Sequence, residues 1–476
     1  MKSIMGLVLV CVFTMLVGCR VSGTVTSNDG EPMEGVGVRL VGQGGDGAIN
    51  ETTSTNTSGK YEFKVTLDDR DTIDIYSLCA YDPQYIFSPS QYKINDASGD
   101  LDSMDFVRVP GWASGDGRGA SIVQRPDGGY LIVGSSGNIT KTDAGGTVQE
   151  QRELKPGERL IAECIRETFD GGYIILARIM NDSWYSPRSL WLIKLDENGD
   201  TLWDKRVDFG VWGIIRANFI QQTADGGYII SGSNQKQKNV TPPVMSYDPK
   251  YGLLIKTTGN GTVSWSKTYI VEGEDASYGG ISETPDGKYI GVRYVDLYVN
   301  PHIYTIFRAD ENGNEYWTKS LTADEKVADI HSTADNGYVY CSKISDDATD
   351  VTVAKLTLCD ADGNEIWSNI YSDKNYIRPA FVRHATDGGF YIGGIASTDN
   401  YNDESISKAN EYIWISKVDN AGEKEWIKFI YNDQIYSSAL SDGFATADQG
   451  FITVGYLGGC TDKNWLMKMD ELGNFQ

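Results

Sequence analysis

Asp170-Gly171-Gly172-Tyr173-Ile174-Ile175-Leu176, followed by Trp191-Leu192-Ile193-Lys194-Leu195-Asp196-Glu197-Asn198-Gly199-Asp200-Thr201-Leu202-Trp203, is the stretch on which the fold turns. A polar Asp-Gly-Gly cluster before an apolar run reads as a turn opening a strand. Asp196 to Gly199 reads as a second tight turn, in which glycine supplies the positive φ and aspartate can hydrogen-bond the turn backbone. The first half recurs at Asp127, Asp170, Asp225, Asp286, Asp335, Asp387 and Asp448, stepping by 43, 55, 61, 49, 52 and 61 residues. The second half recurs as Asp310 to Gly313 to Trp317, Asp360 to Gly363 to Trp367, and Asp419 to Gly422 to Trp426, with Lys256, Gly261 and Trp265 as a variant. Self-similarity at about 50 residues, with four strands per unit, predicts an all-β propeller of about seven four-stranded blades over residues 109–476.

The tryptophan four residues after each turn glycine is a large apolar plate suited to the wedge between blades, so Trp203, Trp265, Trp317, Trp367 and Trp426 are expected to pack rather than to bind. An Asp, a turn glycine and a tryptophan in this order resemble the blades of quinoprotein-like propellers. That resemblance implies a fold and no particular chemistry. The first unit, Lys141-Thr-Asp143-Ala-Gly-Gly146, lacks the tryptophan, and the last, from Lys468 to Gly473, ends before it. Two closures of the ring stay open: the segment near Arg108 to Trp112 supplies the missing outer strand, or the last blade is short.

Upstream, Val21-Ser-Gly-Thr-Val25, Val36-Gly-Val38-Arg-Leu40 and Tyr61-Glu-Phe63-Lys-Val65 alternate as strands around Asn28-Asp29-Gly30, Pro32 and Ser58-Gly59. With Gly23, Gly35, Thr53, Thr55 and Asn56, and with Tyr85 to Pro89 and Asp105-Phe106 as closing strands, residues 19–108 resemble the carboxypeptidase regulatory-like family. The resemblance implies a small Greek-key, transthyretin-like β-sandwich that serves as a non-catalytic spacer or platform.

The chain opens on Lys2 and an apolar run from Ile4 to Val17 that stops at Leu16-Val17-Gly18-Cys19. A charged n-region, a short h-region and a small residue before cysteine predict a signal peptide over residues 1–18. The run is shorter than the roughly 20 apolar residues a spanning helix needs. Leu-Val-Gly-Cys resembles the lipobox of bacterial lipoproteins, which implies lipidation of Cys19, a membrane partner through that lipid anchor, and a mature chain starting there. Multiple acyl chains hold a protein on a membrane where one would not. Arg20 rather than aspartate follows the cysteine, so the expected address is the cell envelope, at the outer membrane, with the leaflet undetermined.

The net charge of −24 becomes −25 without Lys2, which disfavours nucleic acid as a partner. Beyond Cys11 and Cys19, the cysteines 79, 164, 341, 359 and 460 are odd in number and irregularly spaced, so free thiols are expected. His302, His331 and His384 lie in different units without ligand spacing, and Asp360-Ala-Asp362-Gly-Asn364-Glu365 lacks the twelve-residue calcium loop; no cofactor and no metal are expected. No nucleophile elbow or phosphate loop occurs. Paired carboxylates stay open among 66 acidic residues.

Short turns fall on one face of such a ring and long, variable connections on the other, where function in repeat folds sits. The candidate ligand-binding residues there are Trp184, Tyr185, Trp212, Arg216, Tyr278, Tyr298, Tyr376, Arg378 and Tyr436, with Tyr294, His302 and Tyr401 nearby. The leading expectation is a non-enzymatic envelope protein that binds a protein or glycan. The alternatives are a glycan-active hydrolase or lyase working at the central channel, and an outer-membrane assembly scaffold.

Overall fold

The structure, a computed structural model, describes residues 18–27, 30–44, 47–66, 73–81, 86–88, 92–97, 106–109, 112–116, 119–134, 137–179, 189–207, 213–239, 246–272, 274–296, 303–346, 351–373, 376–397, 411–432, 439–457 and 463–475. The chain divides into two compact units, Met1–Asp82 with Phe87–Val109, and Pro83–Ile86 with Pro110–Gln476. Among the described residues no helix is long and apolar enough to cross a membrane.

The first unit holds two four-stranded sheets. In one, Gly18–Thr26 runs antiparallel to Lys60–Thr66 and parallel to Phe106–Val109; Cys19 is registered with Val65. In the other, Gly37–Gly44 lies between Gly47–Ser54 and Ile73–Tyr81. Alternation buries Val21, Val25, Val38, Leu40, Tyr61 and Phe63. Thr55 is buried because its hydroxyl donates to the Met33 carbonyl at 2.6 Å and accepts from the Val36 amide at 3.0 Å. Asn56 closes the next turn, its side-chain oxygen accepting from the Ser58 and Lys60 amides.

The second unit is a β-propeller built of antiparallel meanders. Five sheets are four-stranded and self-contained, and one has eight strands. The repeat predicts about seven separate four-stranded sheets; the difference is a single parallel pair, Thr352 with Tyr376, that links the meander from Glu325–Ser332 to the one from Tyr376–His384. The ring closes through Trp112–Asp116, which pairs antiparallel with Lys463–Met469 as the fourth strand of the last sheet. A strand from the start of the unit therefore completes a sheet from its end.

The motif residues do local work. Asp170 accepts from the Gly172 amide at 3.1 Å and takes Lys194 Nζ at 3.0 Å, and Asp225 repeats this with Gly227 and Lys256. Each lysine also donates to a neighbouring carbonyl, so a buried ammonium on the Leu-Ile-Lys strand is satisfied. The first glycine of Asp-Gly-Gly is left-handed, Gly171 at φ 78°, and where the motif varies Asn336 and Gln449 take the same conformation at 66°.

Each tryptophan seats on the turn of the following repeat. A Cβ on Gly261 would stand 3.1 Å from Trp203, and one on Gly473 2.8 Å from Trp426. Trp265 Nε1 donates to the Glu311 carbonyl at 3.2 Å, Trp367 to Asn420 and Trp426 to Glu471, both at 2.9 Å. Trp203, Trp265 and Trp367 meet Tyr228, Tyr289 and Phe390 edge-on in the next repeat. In the first repeat, which has no tryptophan, Leu131 lies under Gly199 and Arg152 donates to its carbonyl at 2.6 Å.

Candidate functional site

The innermost strands are Gly119–Gln124, Leu160–Glu167, Gly213–Gln222, Asp275–Glu283, Glu325–Ser332, Tyr376–His384 and Ala439–Ala445. Every one breaks register with its neighbour at the same place: at Ala120, Glu163, Asn218, Gly279-Gly280, Ala328, Ala380 and Ser441. A β-bulge leaves one residue unpaired and re-aims its side chain. Glu163, Asn218, Gly279, Gly280, Ala328, Ala380 and Ser441 line a single cavity of about 530 Å³. Where these side chains are larger than glycine they are flanked on both sides by buried residues, as Ala328 is by Val327 and Asp329. The bulges thus form a collar around the central channel.

Past the collar, toward the Asp-Gly-Gly turns, a chain of buried charges runs across repeats. Asp442 accepts from Ser121 Oγ at 2.5 Å and Arg166 at 3.0 Å through one oxygen, and from Arg383 at 2.5 Å through the other. Arg383 continues to Asp329, which also receives the Val382 amide at 3.3 Å and faces His331 Nε2 at 3.4 Å. Two arginines thus meet two aspartates. Burial raises both carboxyls, but Arg383 with His331 at Asp329, and Arg166 with Arg383 at Asp442, outweigh it and hold both below the ordinary range; burial depresses Arg383, and Asp442 and Asp329 more than restore it. Arg166 lies 5.1 Å over the Phe219 ring. Such a chain, with every partner present, fixes the collar; removing one member would strand the others.

On the other side of the collar, toward the long connections, the rim is mixed. Burial lifts the Glu163 carboxyl, with Arg178 and Arg216 opposing and Arg178 hydrogen-bonded to it. Tyr294 and Tyr304 stack at 5.3 Å between centroids, and burial, with Tyr294 and then Asp296 nearby, pushes the Tyr304 hydroxyl up to about 12. Tyr294, Asp296, Tyr304 and Lys326 all line the cavity.

Of the residues singled out from sequence, Arg216 and Arg378 occupy equivalent positions, each two residues before its bulge, with Lys326 at the same position between them in chain order. Tyr376 is half-buried under Arg378, whose guanidinium lies 5.5 Å from its ring centre. Tyr278 corrects the expectation of an exposed loop aromatic: it sits in Asp275–Glu283, buried, its hydroxyl donating to Glu315 at 2.7 Å and its ring 5.1 Å from Phe307. Its sequence, Ser277-Tyr-Gly-Gly280, reads as a loop because the glycines are the bulge. Trp184, Tyr185, Trp212, Tyr298, Tyr436, His302 and Tyr401 lie outside the described residues. His331, which the sequence shows only as one of three scattered histidines, stands beside Asp329 and Arg383 through a pairing that sequence does not display. Among the described residues no group of His, Cys, Asp and Glu is arranged to hold a metal, and Cys164, Cys341 and Cys359 are buried and free.

No family model matches the chain, and no curated protein does. Among solved structures it is similar to a protein of unknown function from Bacteroides caccae, at 13% identity over 64% of this chain and 94% of that one, with a TM-score of 0.37. It is similar also to YCF48 from Cyanidioschyzon merolae, at 12% identity over 76% and 97%, with a TM-score of 0.41. A puromycin hydrolase aligns at 11% identity over 76% of this chain and 54% of that one, with a TM-score of 0.41. The propeller reading rests on the chain's own sheets.

Proposed function

We propose that the protein is a lipoprotein of the bacterial cell envelope, held at the outer membrane through Cys19, that binds a glycan or a protein segment at the channel mouth of its propeller. The observation that carries this reading is the collar: successive inner strands spend a bulge to turn polar or small side chains into one cavity of about 530 Å³. That volume lies within the ~300–1,000 Å³ of ordinary ligand pockets. The acids beneath it are already neutralised by arginines, an arrangement suited to shaping a site. Residues 19–108 would act as a sandwich spacer of the carboxypeptidase regulatory-like kind, consistent with two four-stranded sheets and the Thr55 and Asn56 turn. Residues 109–476 would form a seven-bladed ring, the eight-stranded sheet counting as two blades joined at one residue pair.

One observation favours a second reading. Glu163 is a cavity carboxyl raised by burial, as a general acid for glycan hydrolysis would be. Glycan-array binding without release of reducing ends supports the binding reading. Reducing-end release that disappears in Glu163→Gln would replace it with the hydrolase. For the anchor, Cys19→Ala is expected to move the chain from the membrane to the soluble fraction; recovery of that variant still in the membrane would count against it.

A further inference from the structure

Cations in this propeller are generally matched with acids: Lys194 with Asp170, Lys256 with Asp225, Arg293 with Glu315. Lys326 and Lys343 break the pattern. They stand directly opposite each other on Glu325–Ser332 and Tyr338–Asp346, half-buried, and among the described residues neither side chain has an ion pair or a hydrogen bond. Burial, then Lys326, then Arg378 depress the Lys343 ammonium. The adjacent acid, Glu325, is spent on Ser342 and Lys355. Like charges directly opposite in a sheet destabilise it. Opposing two lysines in a chain of net charge −24, with Lys326 lining the collar cavity, costs stability that binding an anion would return.

We propose that Lys326 and Lys343 form an anion subsite that takes the carboxylate or sulfate of an acidic sugar whose ring lies in the channel cavity, an inference that rests on the binding function proposed above. The rest of the lining fits a sugar ring. Asn218, Asp296 and Ser441 offer hydrogen-bonding groups, and the Tyr294–Tyr304 pair offers an aromatic wall.

The test is titration calorimetry on the mature chain carrying Cys19→Ala, with glucuronate, glucose, inorganic sulfate and tri-alanine as probes. Glucuronate is expected to bind at least tenfold tighter than glucose and to be displaced by sulfate beyond the effect of matched sodium chloride. In the double variant Lys326→Met, Lys343→Met that preference should vanish. The double variant should also melt at a higher temperature than the wild type in low salt without ligand, because a repulsive pair has been removed. Equal affinity for glucuronate and glucose, an unchanged preference in the double variant, tighter binding of tri-alanine, or a double variant that melts lower would each overturn the subsite. Neutral glycans should bind the wild type and the double variant alike; if glucuronate does so too, the channel mouth stays the site and only the anion proposal falls.

Discussion

Asp170 and Asp225 show how a turn residue becomes a stability element. For Asp170 the Thr168 hydrogen bond leads, burial opposes, and Lys194 and the Gly172 amide reinforce; for Asp225 burial opposes, and Lys256, Thr223 and Gly227 prevail. Both carboxyls are drawn down to about 2 from 3.8. A depressed folded pKa contributes stability that is present above the unfolded value and is lost as pH falls toward the folded one. Urea midpoints should therefore fall between about pH 4 and pH 2, and Asp225→Asn should flatten that slope. An equally steep acid slope in the variant would assign the loss to other groups. Both aspartates are largely exposed, so the effect should shrink in high salt.

At the scale of elements, the recurring contact is a tryptophan from one repeat on the turn glycine of the next. Trp265→Ala removes that plate and its bond to Glu311, and is expected to cost about 2–3 kcal/mol, below the ~3–5 kcal/mol of a fully buried ring, as read from urea unfolding. A loss under ~0.5 kcal/mol, the range of ordinary surface changes, would contradict its packing role. This layer was legible in the sequence because turn, glycine and tryptophan are close in the chain, so their spacing states their geometry. The collar was not. A bulge is a property of two paired strands, and its residue ranges from Glu163, Asn218 and Ser441 to Ala120, Ala328 and Ala380 and to Gly279 and Gly280, with no motif to mark it. Arg216 and Arg378 stood out as basic residues near long connections, yet Lys326 and Lys343 did not, since their opposition exists only in the register. Tyr278 was misplaced for the same reason: its glycine neighbours look like a loop until the strand is paired.

At the scale of the molecule, ring closure and the channel are one matter, because the buried charge chain spans strands from both ends of the propeller: Ser121 and Arg166 near its start, Arg383 and Asp442 near its end. A chain starting at Pro110 retains the closing strand Trp112–Asp116, whereas one starting at Gly119 lacks it. The shorter chain should melt several degrees lower, by analogy with the roughly 2–4 °C per kcal/mol of larger domains; equal melting temperatures would show that the strand is dispensable. The central claim is that recognition happens at the collar, and Ala328 offers the most direct probe, being small, exposed to the cavity and outside the charge chain. Glycan-array binding by the wild type and by Ala328→Trp, with melting temperatures matched as a control, is the decisive comparison: the filled cavity is predicted to lose every glycan the wild type retains, and undiminished binding by Ala328→Trp would contradict the claim.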